Sequence, residues 1–276
     1  MNLLIKGAGF QEGYVMIAGP GNGHLRMLEF GRLSVVRGRP YEGDTGDREA
    51  VFDIISGVCG LEVMGGETFG KLGGRRDPFS AGPALICLPP GMSYRFTALS
   101  PNLDMAVSLT PADPGLPVAI VGPQDVPEQR AGAANWTRTL RPGTSVAPTT
   151  RRLMMAETIV PPGNWTSYPP HKHDVENPPD ESVYEEVYFY LFKPAGGYGI
   201  QRVYEPGDDH NRLNEVYVVE DGDAVAIPRG YHPLVAAAGY QLCYIWALCG
   251  VNRVYGAWSD DPAHVWIRGA EAIINS

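Results

Sequence analysis

The hydrophobic residues of this chain occur in short runs that are typically followed by glycine, proline, asparagine or aspartate. Several runs alternate apolar and polar positions with the period of two that is typical of a strand. Long amphipathic patterns with the period of a helix are nearly absent. Many short strands predict an all-β sandwich or barrel, and the clearest runs lie at 50–56, 84–88, 105–109, 118–121, 187–192, 216–219, 224–227 and 241–248.

The two halves of the chain repeat one order of features. In the first half, the run at 50–56 precedes a Gly-rich turn and a later run that ends in Pro-Pro-Gly at 89–91. A strand, a Gly-rich turn and a run ending in Pro-x-Gly recur between 186 and 230. We interpret this repeat as two copies of one β-barrel unit, with predicted boundaries 1–134 and 135–276.

The composition fits a globular protein and limits its partners. The chain has 276 residues, with 34 Gly, 25 Pro and a formal charge of −9. An acidic chain without a basic run is not typical of nucleic-acid binding. The four cysteines form no Cys-x-x-Cys pair, the first residues do not resemble a signal peptide, and no apolar run approaches the roughly 18 residues of a membrane span. We therefore expect a cytoplasmic protein with neither nucleic acid nor membrane as a partner.

Five of the six histidines lie in the second half, and two of them are separated by a single residue. In a strand, His171 and His173 point to the same face and can converge on one ion, whereas Lys172 points the other way. Taken alone, the pattern also fits a polar surface segment beside a loop. The first 170 residues contain one histidine, so we expect no metal site in the first barrel.

A carboxylate and a third histidine follow in the order that a metal site requires. Glu186 shares one face of the strand at 185–190 with Tyr188 and Tyr190. We expect this face to line the barrel interior, where a carboxylate needs a cation. His232 comes directly after a strand and a Pro-x-Gly turn. Together these residues predict a site for a divalent metal ion with four ligands, His171, His173, Glu186 and His232.

The order of these residues resembles the cupin signature, which in this chain reads Gly163, His171-x-His173, Glu186, Gly222, Pro228-x-Gly230 and His232. The gap between His173 and Glu186 is longer than usual and contains a loop at 174–182 that is rich in proline and acidic residues. Longer stretches resemble the 5-deoxy-glucuronate isomerase family of bacterial myo-inositol catabolism; they lie at 46–49, 74–79, 163–174, 185–190, 201–204, 228–233 and 261–266. The stretch 185–190 also resembles the sister family of 4-deoxy-5-ketouronate isomerases of pectin breakdown.

The resemblance spans essentially the whole chain and implies a fold, a site and a reaction. The implied fold is two tandem cupin barrels of the double-stranded β-helix or jelly-roll type. The implied site is the four-ligand metal centre named above, in the second barrel. The implied reaction converts 5-deoxy-D-glucuronate to 5-dehydro-2-deoxy-D-gluconate.

The chemistry of an aldose–ketose isomerisation constrains the metal. Two neighbouring oxygens of the sugar must be polarised together, which a metal ion with two adjacent open positions can do. Four protein ligands leave two such positions in an octahedral ion and none in a strictly tetrahedral zinc. Manganese, iron, nickel or an expanded zinc all satisfy this condition, and the resemblance favours zinc or manganese. Proton transfer through an enediol also needs a base, whereas a hydride shift does not.

Candidate residues for catalysis and substrate binding come from the matched stretches. The candidates for catalysis are Tyr188, Tyr204 and Lys172. A guanidinium can bind the substrate carboxylate in a fork, so Arg202 and Arg229 are the basic candidates. Further candidates for substrate binding are Gln201, Tyr168 and Tyr190. Core packing of the tyrosines and surface ion pairs of the arginines are the alternative interpretations.

Two other functions use a similar barrel. An iron-dependent cupin dioxygenase would share the ligands but consume oxygen, and a binding barrel would hold a sugar or a metal without turnover. For the isomerase we expect a small-molecule sugar acid as the substrate. We also expect a homo-oligomer, although the sequence fixes no subunit number.

Overall fold

The computed structural model describes residues 1–22, 24–146, 149–207 and 212–276, and strands dominate it. The first half contains the strands β1 (Leu4–Ile5), β2 (Gly13–Ala18), β3 (Glu29–Val36), β4 (Tyr41–Asp44), β5 (Arg48–Ser56), β6 (Val58–Val63), β7 (Thr68–Gly73), β8 (Leu85–Leu88), β9 (Ser93–Ala98), β10 (Asn102–Pro111) and β11 (Ala119–Val121). The second half contains β12 (Gln129–Ala131), β13 (Arg138–Arg141), β14 (Leu153–Val160), β15 (Trp165–Thr166), β16 (His171–Lys172), β17 (Glu185–Lys193), β18 (Tyr198–Tyr204), β19 (Asn214–Glu220), β20 (Ala224–Ile227), β21 (Leu234–Ala236), β22 (Gln241–Cys249) and β23 (Ser259–Asp260).

Helices are few and short in the described ranges. Three 3₁₀ turns lie at Pro123–Asp125, Ala134–Trp136 and Gly143–Val146, and one α-helix, α1, spans Ile267–Ile274. None of these helices has the length and apolar character to cross a membrane. The all-β prediction is therefore confirmed.

Two sheets form the barrel of each half. In the first half, a six-stranded sheet with the order β11-β8-β5-β10-β3-β2 and a four-stranded sheet with the order β4-β9-β6-β7 share one apolar core. In the second half, a seven-stranded sheet with the order β1-β20-β17-β22-β14-β13-β12 packs against the four-stranded sheet β15-β21-β18-β19. A small sheet pairs β16 with β23. The two large sheets lie back to back and enclose a third apolar core.

Two short strands from the first predicted unit belong to the sheet of the second. β1 pairs with β20 in the register Leu4↔Val225, and β12 pairs with β13 in the register Gln129↔Leu140. Residues 4–5 and 129–131 therefore extend the seven-stranded sheet. Strands of two or three residues are too short for an alternation of apolar and polar positions, so the sequence does not say which sheet they join. The boundary at 134 stays a prediction.

The two faces of strand β17 contribute to two different cores, one between the large sheets and one inside the second barrel. Val187 and Phe189 point into the core between the two large sheets, where the rings of Phe189 and Phe30 lie 5.7 Å apart. Tyr188 and Tyr190 point the other way, into the second barrel. Complete burial of one large apolar side chain contributes about 1.5–3 kcal/mol. The face that begins with Glu186 is thus fixed toward the barrel interior, as the alternation predicts.

A cluster of buried charges joins the two halves at the same interface. Arg75 of the first half donates from Nη2 to Asp53 at 3.1 Å and from Nη1 to Glu157 of the second half at 3.0 Å. Arg141 donates to Glu157 and to the more exposed Glu128. Burial, together with the charge of Glu157, raises the pKa of Asp53 well above its usual range, although Arg75 opposes this. Burial and the neighbouring carboxylate therefore favour the protonated form of Asp53 in the folded protein.

Asp53→Asn tests this protonation. A buried acid with a raised pKa takes up a proton on folding, so its contribution is complete below the unfolded pKa of about 3.9 and is lost as the pH rises above it. Asparagine mimics the protonated acid at every pH. We expect the stability of Asp53→Asn relative to the wild type to increase from pH 5 to pH 8, by up to about 1.4 kcal/mol per pH unit. Urea unfolding at both pH values measures it, with Asp113→Asn at an exposed carboxylate as control. An unchanged difference between the two pH values would contradict a neutral Asp53.

Candidate metal centre

Three of the four predicted ligands meet inside the second barrel. The ligand atoms of His173, Glu186 and His232 all lie within 4.8 Å of one another. The three side chains are enclosed, with exposed fractions of 2%, 3% and 0%. His173 directly follows β16, Glu186 is the second residue of β17, and His232 lies between β20 and β21. Residues that are distant in the sequence thus converge because the small sheet that holds β16, the start of β17 and the turn between β20 and β21 meet at one place.

The turn before His232 requires a glycine. Gly230 has a φ of +90°, and a Cβ on it would lie 2.9 Å from the carbonyl oxygen of Tyr204. Two hydrogen bonds fix Gly230 in the turn. The N–H of Gly230 donates to Asp174, and the carbonyl of Gly230 accepts from His232 Nδ1 at 2.9 Å. The Pro-x-Gly motif therefore fixes both the position and the ring orientation of His232.

The hydrogen bonds of the two histidines define their tautomers. Nδ1 of His173 lies 3.0 Å from the carbonyl oxygen of Tyr184, and Nδ1 of His232 contacts the carbonyl of Gly230. A carbonyl can only accept, so Nδ1 carries the proton in both rings. The two Nε2 atoms then face Glu186 Oε2 at 3.0 and 3.2 Å. This orientation is typical of metal-binding histidines.

The Nε2 atom of His232 is a buried polar atom without a hydrogen-bond partner among the described residues. Burial works against a charged His173, but the bond to Glu186 outweighs it and raises the pKa of His173. Burial likewise opposes the charge on Glu186, yet the hydrogen bond to His173 and the nearby imidazole of His232 lower its pKa. The cluster therefore favours a positive charge at its centre, and two imidazoles with one carboxylate are a donor set that suits a divalent metal.

His171, the fourth predicted ligand, lies beside this cluster but is not part of the group within 4.8 Å. Its ring centroid lies 4.7 Å from that of His232 and 6.3 Å from that of His173, and it also contacts Trp258 at 5.3 Å. Burial, followed by the neighbouring imidazoles, lowers the pKa of His171 well below its usual range. A neutral imidazole is the form that binds a metal, which is compatible with His171 as a ligand. Because His171 lies outside the group of three, its role as the fourth ligand stays a prediction.

A cavity opens beside the cluster and is lined by groups of three kinds. The cluster contributes His173 and Glu186, and the neighbouring His171 also lines the cavity. The hydroxyl-bearing residues are Thr158, Ser167, Tyr188 and Tyr244, and the apolar and aromatic wall is formed by Leu140, Trp246, Leu248, Tyr255 and Trp258. One cation, Arg138, completes the described lining. A hydroxylated anion of small size matches this combination of surfaces.

Tyr188 is the predicted catalytic residue that lines this cavity. Its hydroxyl lies 2.8 Å from Ser167 Oγ, and its ring packs against His232 and Tyr244. Burial and then the charge of Glu186 raise the pKa of Tyr188 well above its usual value. The phenol is therefore neutral and can donate a hydrogen bond to a sugar oxygen.

Tyr190 and Gln201 do not line the cavity, but they form hydrogen bonds that reach the backbone of His232. The Tyr190 hydroxyl donates to Gln201 Oε1 at 3.0 Å. The Gln201 amide donates to the carbonyl of His232 at 2.9 Å and to that of Pro233 at 3.1 Å. Both side chains are completely buried. Both side chains hold the backbone that carries His232, and their contact with the substrate stays a prediction.

Tyr204 and the two predicted arginines also lie away from the cavity. Tyr204 donates its hydroxyl to Asp261, and the guanidinium of Arg202 stacks on its ring at 3.9 Å. Arg202 is exposed because it alternates along β18 with the inward-facing Gln201. Arg229 forms an ion pair with Glu205 at 3.1 Å. These three groups form contacts outside the cavity, and the roles predicted for them from the sequence stay predictions.

Lys172 and Tyr168 complete the predicted residues. Lys172 Nζ contacts Asp174 at 2.6 Å and Glu181 at 2.8 Å. Burial alone would lower the pKa of Lys172, but the two carboxylates raise it, so the side chain stays an ammonium outside the cavity. Tyr168 packs its ring between Trp165 and His264, outside the described lining. Neither position supports the predicted contact with the substrate.

Five residues that line the cavity are not among the candidates predicted from the sequence: Arg138, Ser167, Tyr244, Trp246 and Trp258. Tyr244 and Trp246 lie on β22, within an apolar run that the sequence identifies as a strand but not as part of a site. Arg138 lies on a strand of four residues next to the predicted boundary. The strand alternation of β22 was the one available signal, because it places 244 and 246 on the same face as Leu242 and Leu248 in the barrel core.

Two antiparallel barrels packed back to back, with a His–His–Glu cluster enclosed in one of them, define a cupin-type double barrel. The chain matches the model of the KduI/IolB family over residues 3–267. It therefore belongs to the KduI/IolB family, as the sequence motifs indicate.

Known relatives are similar in sequence to this chain over nearly its full length. The chain is 32% identical to the 5-deoxy-glucuronate isomerase of Geobacillus thermodenitrificans over 258 residues, covering 93% of this chain and 92% of the relative. It is 30% identical to that of Bacillus subtilis strain 168, covering 89% of each. These named relatives support an isomerase.

Solved structures agree with the fold. An IolB-like protein from Salmonella typhimurium superposes with a TM-score of 0.90 at 27% identity, covering 97% of this chain and 100% of that chain. Oxalate decarboxylase from Lactobacillus farciminis superposes with a TM-score of 0.63 at 11% identity, covering 91% of this chain and 87% of that chain. The second likeness shows the double-barrel fold alone. The prediction of two tandem cupin barrels is confirmed.

Proposed function

We propose that this protein is a metal-dependent aldose–ketose isomerase that converts 5-deoxy-D-glucuronate to 5-dehydro-2-deoxy-D-gluconate in myo-inositol degradation. The observation that carries the proposal is the buried His173–Glu186–His232 cluster, in which both Nε2 atoms face one carboxylate oxygen. The names of the relatives supply the substrate.

The cluster and its neighbours have separate parts in this proposal. His173, Glu186 and His232 would hold the ion, with His171 as the fourth ligand, and zinc or manganese is the proposed metal. When bound, a divalent ion supplies the Lewis acidity that polarises two neighbouring sugar oxygens. Tyr188 donates a hydrogen bond to a sugar hydroxyl and is itself held by Ser167. The aromatic wall excludes water from the reacting carbons.

Incubation with 5-deoxy-glucuronate in D₂O under anaerobic conditions, followed by NMR, tests the proposed reaction. We expect the 2-deoxy-ketoacid to form without oxygen. Deuterium at the new methylene would indicate proton transfer through an enediol, and its absence would indicate a hydride shift. A parallel incubation with 4-deoxy-5-ketouronate tests the substrate of the sister family.

Two outcomes of this incubation would contradict the proposal. An unaltered sugar in a stoichiometric complex would identify a binding barrel. Turnover that appears only with oxygen and Fe²⁺ would identify a dioxygenase.

A further inference from the structure

Arg138 points into the cavity because of its place on β13. Residues two apart in a strand share a face, and Arg138 and Leu140 both line the cavity. Arg141 lies on the opposite face, where it contacts Glu157 between the two halves. The two faces of β13 therefore carry different arginines: Arg141 lies at the interface between the barrels, and Arg138 lines the cavity of the candidate active site.

The guanidinium of Arg138 is held on one side only. Its Nη1 donates to the carbonyl oxygens of Trp136 at 3.3 Å and Tyr168 at 3.2 Å. Within the described part of the chain, no carboxylate forms an ion pair with it. Glu271, which acts on its charge from a distance, accepts a hydrogen bond from the indole of Trp136 instead. The remaining N–H groups of the fork are therefore open to a ligand.

Other buried or partly buried arginines of this protein, unlike Arg138, form ion pairs with carboxylates. Arg75 contacts two carboxylates, and Arg268 forms two hydrogen bonds with Asp260. Burial lowers the pKa of Arg138 from its usual value, which shows that its charge is poorly compensated by the protein. A partly buried cation that borders a cavity is stabilised when an anion enters.

We propose that Arg138 binds the carboxylate of the sugar acid and thereby selects uronates over neutral sugars; this rests on the proposed function. The cavity that Arg138 borders also holds the His–Glu cluster, so an acid bound at the guanidinium would place its sugar chain toward the cluster. Hydroxyl groups of Tyr244 and Ser167 lie along the same lining. Arg202 and Arg229, the arginines predicted from the sequence, lie outside it.

Arg138→Gln tests the assignment when two substrates are compared. With 5-deoxy-glucuronate, we expect kcat/KM to fall roughly 100-fold, mainly through KM, because charge-assisted hydrogen bonds are lost. With 5-deoxy-glucose, in which a hydroxymethyl group replaces the carboxylate, the same variant should keep the low kcat/KM of the wild type. Arg138→Lys should recover part of the activity with the acid, since the charge remains but the fork does not.

The matched control is Arg130→Gln, on the neighbouring strand β12 and exposed to solvent. It removes the same charge without touching the cavity, so both substrates should behave as in the wild type. Arg202→Gln tests the competing arginine directly. Thermal unfolding of all variants confirms that each is folded, and if Arg138→Gln is not, Arg138→Lys carries the comparison between the two substrates.

Binding without turnover separates this proposal from the proposed function. Trp246 and Trp258 line the cavity, so their fluorescence should respond to titration with D-glucuronate. We expect the affinity for D-glucuronate to drop in Arg138→Gln, while D-glucose binds equally weakly to both proteins. Loss of affinity without any isomerase activity in the wild type would support Arg138 and refute the isomerase. Active wild type with an unaffected Arg138→Gln, or a selective loss in Arg202→Gln, would overturn the assignment of Arg138.

Discussion

His173→Ala is expected to lose its bound metal and to reduce kcat/KM by about 10³-fold or more, since metal ions supply several kcal/mol of transition-state stabilisation. The substitution removes one of three enclosed ligands and leaves Glu186 and His232 with an incomplete site. Elemental analysis of the purified protein measures the metal, and the NMR assay measures turnover. The fold should persist, because the large cores between and within the barrels do not include this imidazole.

His264→Ala is the matched control. This histidine is partly exposed and its ring contacts Tyr168, outside the cluster. Its backbone N–H bond to Asp261 does not depend on the side chain. We expect full metal content and nearly unchanged turnover. Full metal content in His173→Ala would refute the assignment of the ligands.

The residues of the metal cluster could be predicted from the sequence because each one is tied to a local pattern. The spacing of His171 and His173, the alternation after Glu186, and the Pro-x-Gly turn before His232 each dictate a direction for one side chain. The same alternation places Val187 and Phe189 on the opposite face of β17, which packs into the core between the two large sheets.

The remaining lining of the cavity depends on tertiary pairing, which no local pattern reports. Arg138 faces the cavity because β13 pairs with β14 in the register Thr139↔Ile159, and this register is not encoded in four residues of sequence. Arg202 lies within a family motif, yet it alternates to the outer face of β18. Membership in the motif therefore indicates the strand that carries Arg202 but not the face to which its side chain points, and its role in substrate binding stays a prediction.

Arg75→Met is expected to have the largest effect on stability, a loss of about 3–5 kcal/mol, because removing one partner of a buried ion pair is strongly destabilising and here leaves Glu157 with Arg141 as its remaining cation. Arg75 joins Asp53 of the first half to Glu157 of the second, and both carboxyl groups are fully buried. Its Nε also donates to the carbonyl oxygen of Ile54 at 2.7 Å. Urea unfolding at pH 7 with tryptophan fluorescence measures the loss.

Arg76→Met is the natural control, because the adjacent arginine is 79% exposed in its side chain and forms an ion pair with Asp77. Exposed ion pairs contribute about 0–1 kcal/mol, so this variant should unfold nearly like the wild type. The double variant Arg75→Met/Glu157→Gln should lose less stability than the sum of the two single changes, since no unpaired anion is left behind. A loss in Arg75→Met no larger than in Arg76→Met would contradict a stabilising role of the buried charges at the interface between the two barrels.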